Sequence, residues 1–141
     1  MSVMRFSIPR DIVYGENALD HLSQLKGKRA MLVTGGSSMK RLGFLDKAAA
    51  LLQQAGMQTA TFDGVEPNPS VATVLAGAKA MQEFKPDWIV AIGGGSALDA
   101  AKVMWCFYEH PQLKFTDILT PGSMPALRNK ARFIAIPSTS G

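Results

Sequence analysis

The sequence predicts an α/β fold in which a parallel sheet carries helices on both faces and follows a short N-terminal β-ribbon. Short apolar segments rich in β-branched residues alternate with longer segments whose apolar residues recur at helical spacing. Each apolar segment ends at a polar or glycine-rich loop. Such alternation favours right-handed crossovers, which leave the strands parallel. The 141 residues, 47% of them hydrophobic, suffice for one domain with a substantial core.

The N-terminal third combines the predicted ribbon with a first helix and strand. Residues 4–8 and 11–14 are two short extended segments separated by Pro9, and together they form the ribbon. A short helix is predicted at residues 18–24. The first core strand follows at residues 29–34 and ends at a glycine pair.

The middle of the chain contains two predicted helices around a second strand. A helix at residues 43–55 precedes a strand at residues 58–62, and residues 63–69 form a rigid connecting loop. Ser70 caps the next helix, which reaches about Phe84. Its inward side chains are predicted to be Val71, Val74, Leu75, Ala78 and Met81.

The last third begins with a strand at residues 88–92, whose continuous apolar character indicates burial on both faces. Ser96 is the predicted N-cap of the following helix. Residues 110–129 are rich in loops, with one short strand or helical turn near residues 115–119. The final strand is predicted at residues 132–136.

Three consecutive glycines and Ser96 connect the strand at residues 88–92 to the next helix, whose first turn carries Asp99. Glycines leave backbone N–H groups open to an anion, and a helix N-terminus attracts one. We interpret this turn as a phosphate-binding site; the alternative is an ordinary tight turn. It differs from the Gly-x-Gly-x-x-Gly dinucleotide fingerprint because position 98 is Leu.

Small and hydrogen-bonding residues follow four predicted strands. Parallel strands place all their carboxyl ends at one edge of the sheet, where ligands bind in such folds. A long polyphosphate ligand lying across that edge is therefore predicted. The four loops are residues 35–38, 63–68, 93–96 and 137–141.

Composition and charge narrow the classes of function. The net charge of +4 is scattered, so it fits an anionic cofactor as well as an ordinary solvated surface. The sequence has no cluster of basic and aromatic residues that would indicate nucleic-acid binding. The single Cys106 cannot form an intrachain disulfide and is predicted to be a buried hydrophobe in a reducing compartment. Without a signal-like segment or a membrane-length apolar run, we expect a cytoplasmic protein with no membrane partner.

The loops, in this order, resemble the N-terminal cofactor-binding domain of the iron-containing (group III) alcohol dehydrogenases, within the dehydroquinate-synthase-like superfamily. The resemblance covers essentially the whole chain. It implies a Rossmann-like sheet and hydride transfer between a small alcohol or aldehyde and a nicotinamide dinucleotide, with iron or another divalent metal polarising the substrate oxygen. The residues that carry it are 64–69 (GVEPNP), 91–96 (AIGGGS) with Asp99 and Lys102, and 136–141 (IPSTSG).

The resemblance also implies the residues that bind the cofactor. Gly94, Gly95 and Ser96 correspond to the turn that holds the diphosphate, with Asp99 following in the helix. Asn68 corresponds to a residue beside the cofactor. Ser138 and Thr139 correspond to residues that contact the adenosine and phosphate side of the cofactor, and Ser138 replaces a commoner Thr.

The first glycine loop bears on cofactor choice. NAD-preferring members of the family place Asp where this chain has Gly35, and its charge would repel a 2′-phosphate. Gly36, Ser37 and Ser38 instead offer N–H groups and hydroxyls, so NADP is the predicted cofactor, with Gly35, Gly36 and Ser38 as contacts. The alternative is that Gly35 only relieves crowding and that NAD binds as well.

The metal of the family is held by one Asp and three His of a helical C-terminal domain. This chain has only His21 and His110, without a His-x-x-x-His spacing, so we expect no metal ligand and no catalytic residue in it. The expected domain organisation is one dinucleotide-binding domain over residues 1–141, with the helical metal and substrate domain absent and the chain alone inactive.

Two other functions stay open. One is a free-standing dinucleotide-binding module, and the other is a related enzyme of the superfamily such as a glycerol dehydrogenase. Apolar surface left by an absent domain, at Trp105, Phe107, Tyr108 or the loop at Met124, is expected to promote a homodimer.

Overall fold

The computed structural model describes residues 18–35, 43–119 and 126–137. Within them, four parallel strands form one sheet with helices on both faces, so the predicted fold class is confirmed. The predicted ribbon at residues 4–14 lies outside the described residues. No described helix has the length and apolar character needed to cross a bilayer.

The described elements follow the predicted order, with the segment near residue 115 helical rather than extended. In chain order they are a 3-10 helix at Ala18–Gln24, β1 at Arg29–Gly35, α1 at Phe44–Gln54, β2 at Gln58–Val65, α2 at Val71–Phe84, β3 at Trp88–Gly93, α3 at Gly95–Glu109, α4 at Phe115–Leu119 and β4 at Arg132–Pro137.

The strand order is β2-β1-β3-β4, with every pair parallel. The register pairs Gly35 with Val65 and Gly93 with Pro137, so the four strands end at one edge of the sheet. Between β1 and β3 the strand order changes direction. The crevice at such a point is where open α/β sheets bind ligands.

The central strands β1 and β3 are buried on both faces, which explains their continuous apolar sequences. Alternate side chains point to opposite faces. One face packs on α2 and α3, and the other packs on α1 and the 3-10 helix. Cys106 is buried in α3, as predicted.

Helix α2 begins at the predicted cap but turns a narrower face inward than predicted. Val74, Ala78 and Met81 are buried, whereas Val71 is 54% exposed and Leu75 46% exposed. The prediction for these last two residues was wrong. Residues 71 and 75 are four positions apart and lie on one side of the helix, next to the face formed by Val74, Ala78 and Met81. That face is the one that packs against α3 and the sheet.

Helix α3 is fixed at its C-terminal end by polar side chains. The Trp105 indole N–H donates to the carbonyl oxygen of Ala131 at 3.0 Å. The buried Glu109 carboxylate accepts the backbone N–H groups of residues 129–131, each at 2.9 Å. A buried charge is tolerated where several donors satisfy it. These bonds attach the end of α3 to the segment that leads into β4.

The expectation that three aromatic residues of α3 are exposed was wrong. Trp105, Phe107 and Tyr108 are between 4% and 5% exposed. Trp105 stacks on Phe133 with ring centroids 5.0 Å apart, and the Tyr108 hydroxyl donates to the carbonyl oxygen of Pro86 at 2.8 Å. Partners within this chain therefore cover these rings.

A hydrogen-bonded loop joins β2 to α2. The strand extends to Val65, three residues beyond the predicted end, and Glu66 follows. The Glu66 carboxylate accepts the Ser70 N–H at 2.9 Å and the Thr73 hydroxyl, while the Ser70 hydroxyl accepts the Thr73 N–H at 3.1 Å. Ser70 is thus the N-cap, as predicted. These hydrogen bonds lower the pKa of Glu66 below its ordinary value. The bond from the Thr73 hydroxyl has the larger effect, and the bond from the Ser70 N–H has the second largest.

Replacing Glu66 by Gln is expected to lower thermal stability at neutral pH and to have no such effect in acid. Because the folded-state pKa is depressed, the stabilisation is present above the ordinary carboxyl pKa and is lost as the pH falls below roughly 4. The measurement is the unfolding temperature of the wild type and Glu66→Gln between pH 7 and 3. Glu83→Gln, which neutralises an exposed carboxylate near the end of α2, is the control. A gap between wild type and variant that does not change with pH would contradict the assignment.

Candidate functional site

Strand β3 passes into α3 with a single residue between them. Gly93 has φ 143°, a conformation that residues with a side chain rarely adopt, and Gly94 is the N-cap in extended conformation. The prediction that Ser96 caps the helix was therefore wrong. The turn at Gly93 starts the helix earlier, so Ser96 lies in its first turn and is exposed.

The start of α3 leaves backbone donors free of helical acceptors. The first bond across the N-cap runs from the Leu98 N–H to the Gly94 carbonyl oxygen at 3.1 Å. The N–H groups that precede Leu98 have no acceptor within the helix, and Gly94 has no side chain to accept them. A helix N-terminus of this kind attracts an anion.

Gly95 faces open space. A Cβ atom built on it meets no protein atom within 4 Å, so packing within the chain does not require a glycine at this position. Because the Cα–Cβ bond of a helical residue tilts toward the helix N-terminus, a side chain at this first helical position would extend toward that end. The missing side chain thus leaves room for a ligand to approach the backbone.

A cleft of about 350 Å³ opens between the starts of α2 and α3. It brings together three of the predicted cofactor residues, namely Asn68, Ser96 and Asp99, all of which are exposed. Asn68 has φ 53°, a left-handed conformation that Asn tolerates better than most residues. Val74 and Ala100 add an apolar part to the lining. The cleft offers amide, hydroxyl and carboxylate groups beside the helix N-terminus.

Gly35 ends β1 at the same edge of the sheet, where it is packed tightly. A Cβ atom at this position would overlap the carbonyl oxygen of Val65, and the strand register shifts between Val33 and Gly35. No side chain, acidic or otherwise, fits this backbone. Crowding is therefore a sufficient reason for glycine here, as the alternative explanation stated.

Four predicted cofactor contacts, Gly36, Ser38, Ser138 and Thr139, lie outside the described residues. Their assignment stays a prediction.

Sequence reasoning missed Thr34, the residue before Gly35. It is 1% exposed, and its hydroxyl has no hydrogen-bond partner among the described residues. An unsatisfied buried hydroxyl costs about 1–3 kcal/mol. The only signal in the sequence is a polar residue at the end of an apolar strand, directly before the glycine loop.

The described residues do not fit a metal ion. No group of three or more His, Cys, Asp or Glu side chains in residues 18–35, 43–119 and 126–137 is placed to hold one. His21 is exposed, and a ring nitrogen of His110 is hydrogen-bonded to the carbonyl oxygen of Ala126. That the chain binds no metal stays a prediction.

Comparison with known proteins identifies relatives over most of the chain. The sequence profile described as "Iron-containing alcohol dehydrogenase" matches residues 9–141. The NADPH-dependent butanol dehydrogenase of Clostridium saccharobutylicum is 60% identical over 139 residues, covering 99% of this chain and 36% of the relative. The NADH-dependent butanol dehydrogenase A of Clostridium acetobutylicum is 39% identical over 102 residues, which is 70% of this chain and 26% of that protein.

The fold matches a solved structure of the same kind. The iron-containing alcohol dehydrogenase of Thermococcus thioreducens superposes with a TM-score of 0.85 and 37% identity, over 97% of this chain and 38% of the other. The chain thus spans little more than a third of the length of these relatives. The fold, the glycine turn at the strand ends and the profile match agree: the chain belongs to the iron-containing alcohol dehydrogenase family.

Proposed function

We propose that this chain is the dinucleotide-binding part of a metal-dependent alcohol dehydrogenase that prefers NADP. The observation that carries the proposal is the exposed N-terminus of α3, which Gly94 and Gly95 leave bare at the point where the strand order changes direction. A diphosphate is the part of a dinucleotide that suits such a helix end.

Each residue at the cleft contributes a different hydrogen-bonding group to cofactor binding. The backbone N–H groups of Gly95 and Ser96 and the Ser96 hydroxyl are donors for phosphate oxygens. The Asn68 amide both donates and accepts, and the Asp99 carboxylate accepts from hydroxyl or amide groups of the cofactor. Gly94 allows the backbone to approach the ligand closely. Gly36, Ser38, Ser138 and Thr139 are the remaining proposed contacts.

Two observations support NADP as the preferred cofactor. The relative that is 60% identical is named NADPH-dependent, whereas the one named NADH-dependent is 39% identical over a shorter segment. A side chain at Gly35 would overlap Val65, so no acidic group can occupy this position. A 2′-phosphate therefore meets no carboxylate there that would repel it. The same overlap explains the glycine without reference to the cofactor, so titration has to decide.

A bound nicotinamide dinucleotide supplies the hydride that is exchanged with an alcohol or aldehyde. We propose that residues beyond this chain hold the metal and the substrate, because the described residues do not fit a metal and the matched segment is little more than a third of the relatives' length. The 141-residue chain alone is then expected to bind the cofactor without turning over an alcohol. A homodimer stays a proposal without the support of the three buried aromatic residues, and the loop at Met124, the other surface expected to promote it, lies outside the described residues.

Replacing Gly95 by Ala separates binding from folding. The backbone at position 95 is helical and a Cβ atom meets nothing there, so Ala is expected to keep or raise the stability by about 0.4–1 kcal/mol. The same methyl group extends toward the helix N-terminus and is expected to weaken NADPH binding by at least about tenfold, the loss of one charge-assisted hydrogen bond. Chemical denaturation and NADPH titration check the two effects. If the variant is stable and its affinity for NADPH is unchanged, the diphosphate does not bind at this turn.

Titration with both cofactors tests the proposed function itself. Quenching of tryptophan fluorescence by NADPH and by NADH gives the two dissociation constants. NADPH is expected to bind more tightly. Equal or tighter binding of NADH would contradict the cofactor preference only, whereas no binding of either compound would contradict the proposed function.

A further inference from the structure

The hydroxyl of Thr34 occupies a special place in the sheet. Thr34 is the last residue but one of β1, and it pairs with Ile92 directly before Gly93 of β3. These two strands flank the point where the strand order changes direction. The hydroxyl therefore lies at the crevice between β1 and β3, where a ligand of this fold is expected.

The space beside this hydroxyl is kept open by a glycine. A Cβ atom built on Gly93 would lie 3.3 Å from the Cβ of Ala97 and 3.9 Å from the Thr34 oxygen. Because Gly93 has no side chain, no Cβ atom stands between the hydroxyl and Ala97 in the first turn of α3. Strand alternation places Thr34 on the same face as Leu32, at the end of the strand and within reach of Gly93.

Packing does not explain a hydroxyl at this position. The side chain is 1% exposed and its oxygen finds no hydrogen-bond partner in the part of the chain that the structure describes. A Val of nearly the same shape would fill the space without a buried polar atom. A partner that arrives with a ligand removes this cost. The neighbouring helix N-terminus selects an anionic ligand.

We propose that the Thr34 hydroxyl donates a hydrogen bond to an oxygen of the cofactor's diphosphate, directly or through one water that enters with it. This inference rests on the proposed function, since it adds a binding residue to the same site. Thr34 then supports the diphosphate from β1, while the backbone of Gly95 and Ser96 holds it from α3. Gly93 keeps the two sets of donors from being separated by a side chain.

The test is the replacement of Thr34 by Val, which removes the hydroxyl and keeps the shape. NADPH binding is expected to weaken by about tenfold, as for the loss of a hydrogen bond to a charged group, while the unfolding temperature is unchanged or higher. Inorganic pyrophosphate is expected to displace NADPH from the wild type, and its inhibition constant, corrected for the NADPH affinity of each protein, is expected to be about tenfold higher for Thr34→Val. Thr34→Ser, which retains the hydroxyl, is the matched control and should bind NADPH as the wild type does.

The outcomes separate this inference from the proposed function. If the wild type binds NADPH and Thr34→Val binds it equally tightly, the hydroxyl has no role and the inference is overturned, with the proposed function intact. If the wild type binds no dinucleotide, both are overturned. Should Thr34→Val fail to fold, Thr34→Ala and Thr34→Ser provide the same comparison, and a loss of affinity confined to Ala supports the hydrogen bond.

Discussion

The direct passage from β3 into α3 through Gly93 is the constraint on which the site depends. Its φ of 143° lets the helix begin next to the end of the strand, so the first turn of α3 stands at the edge of the sheet. The far end of the helix is held by Glu109, whose carboxylate accepts three backbone N–H groups before β4. Fixed at both ends, α3 presents its N-terminus at the edge where all four strands end.

Three glycines at this edge serve different physical purposes. Gly93 adopts a backbone conformation that other residues avoid, and Gly35 escapes an overlap with the carbonyl oxygen of Val65. Neither a positive φ nor a steric overlap requires glycine at position 95, because a side chain there would meet only open space. Of the three, Gly95 is therefore the one whose identity points to a ligand rather than to the fold, and Thr34 is the polar group nearby that also lacks an internal explanation.

Much of the fold could be predicted because burial on both faces gives β1 and β3 continuous apolar sequences, and because Ser70 is a strong N-cap. The start of α3 could not, since it depends on the φ of Gly93 rather than on the capping tendency of Ser96. The burial of Trp105 depends on Phe133 and Ala131, which only the folded chain brings near. In the site, the family resemblance predicted Asn68, Ser96 and Asp99, but the lack of a hydrogen-bond partner for Thr34 among the described residues is visible only in three dimensions.

The location of the bound diphosphate tests the account most directly. A crystal structure of the protein with NADPH is predicted to place the diphosphate against the backbone of Gly95 and Ser96, between β1 and β3. The opposite end of the sheet offers a competing site for an anion, a cleft of about 200 Å³ whose lining includes Arg128, Lys130 and Arg132. A diphosphate bound in that basic cleft, with the N-terminus of α3 left empty, would contradict the account.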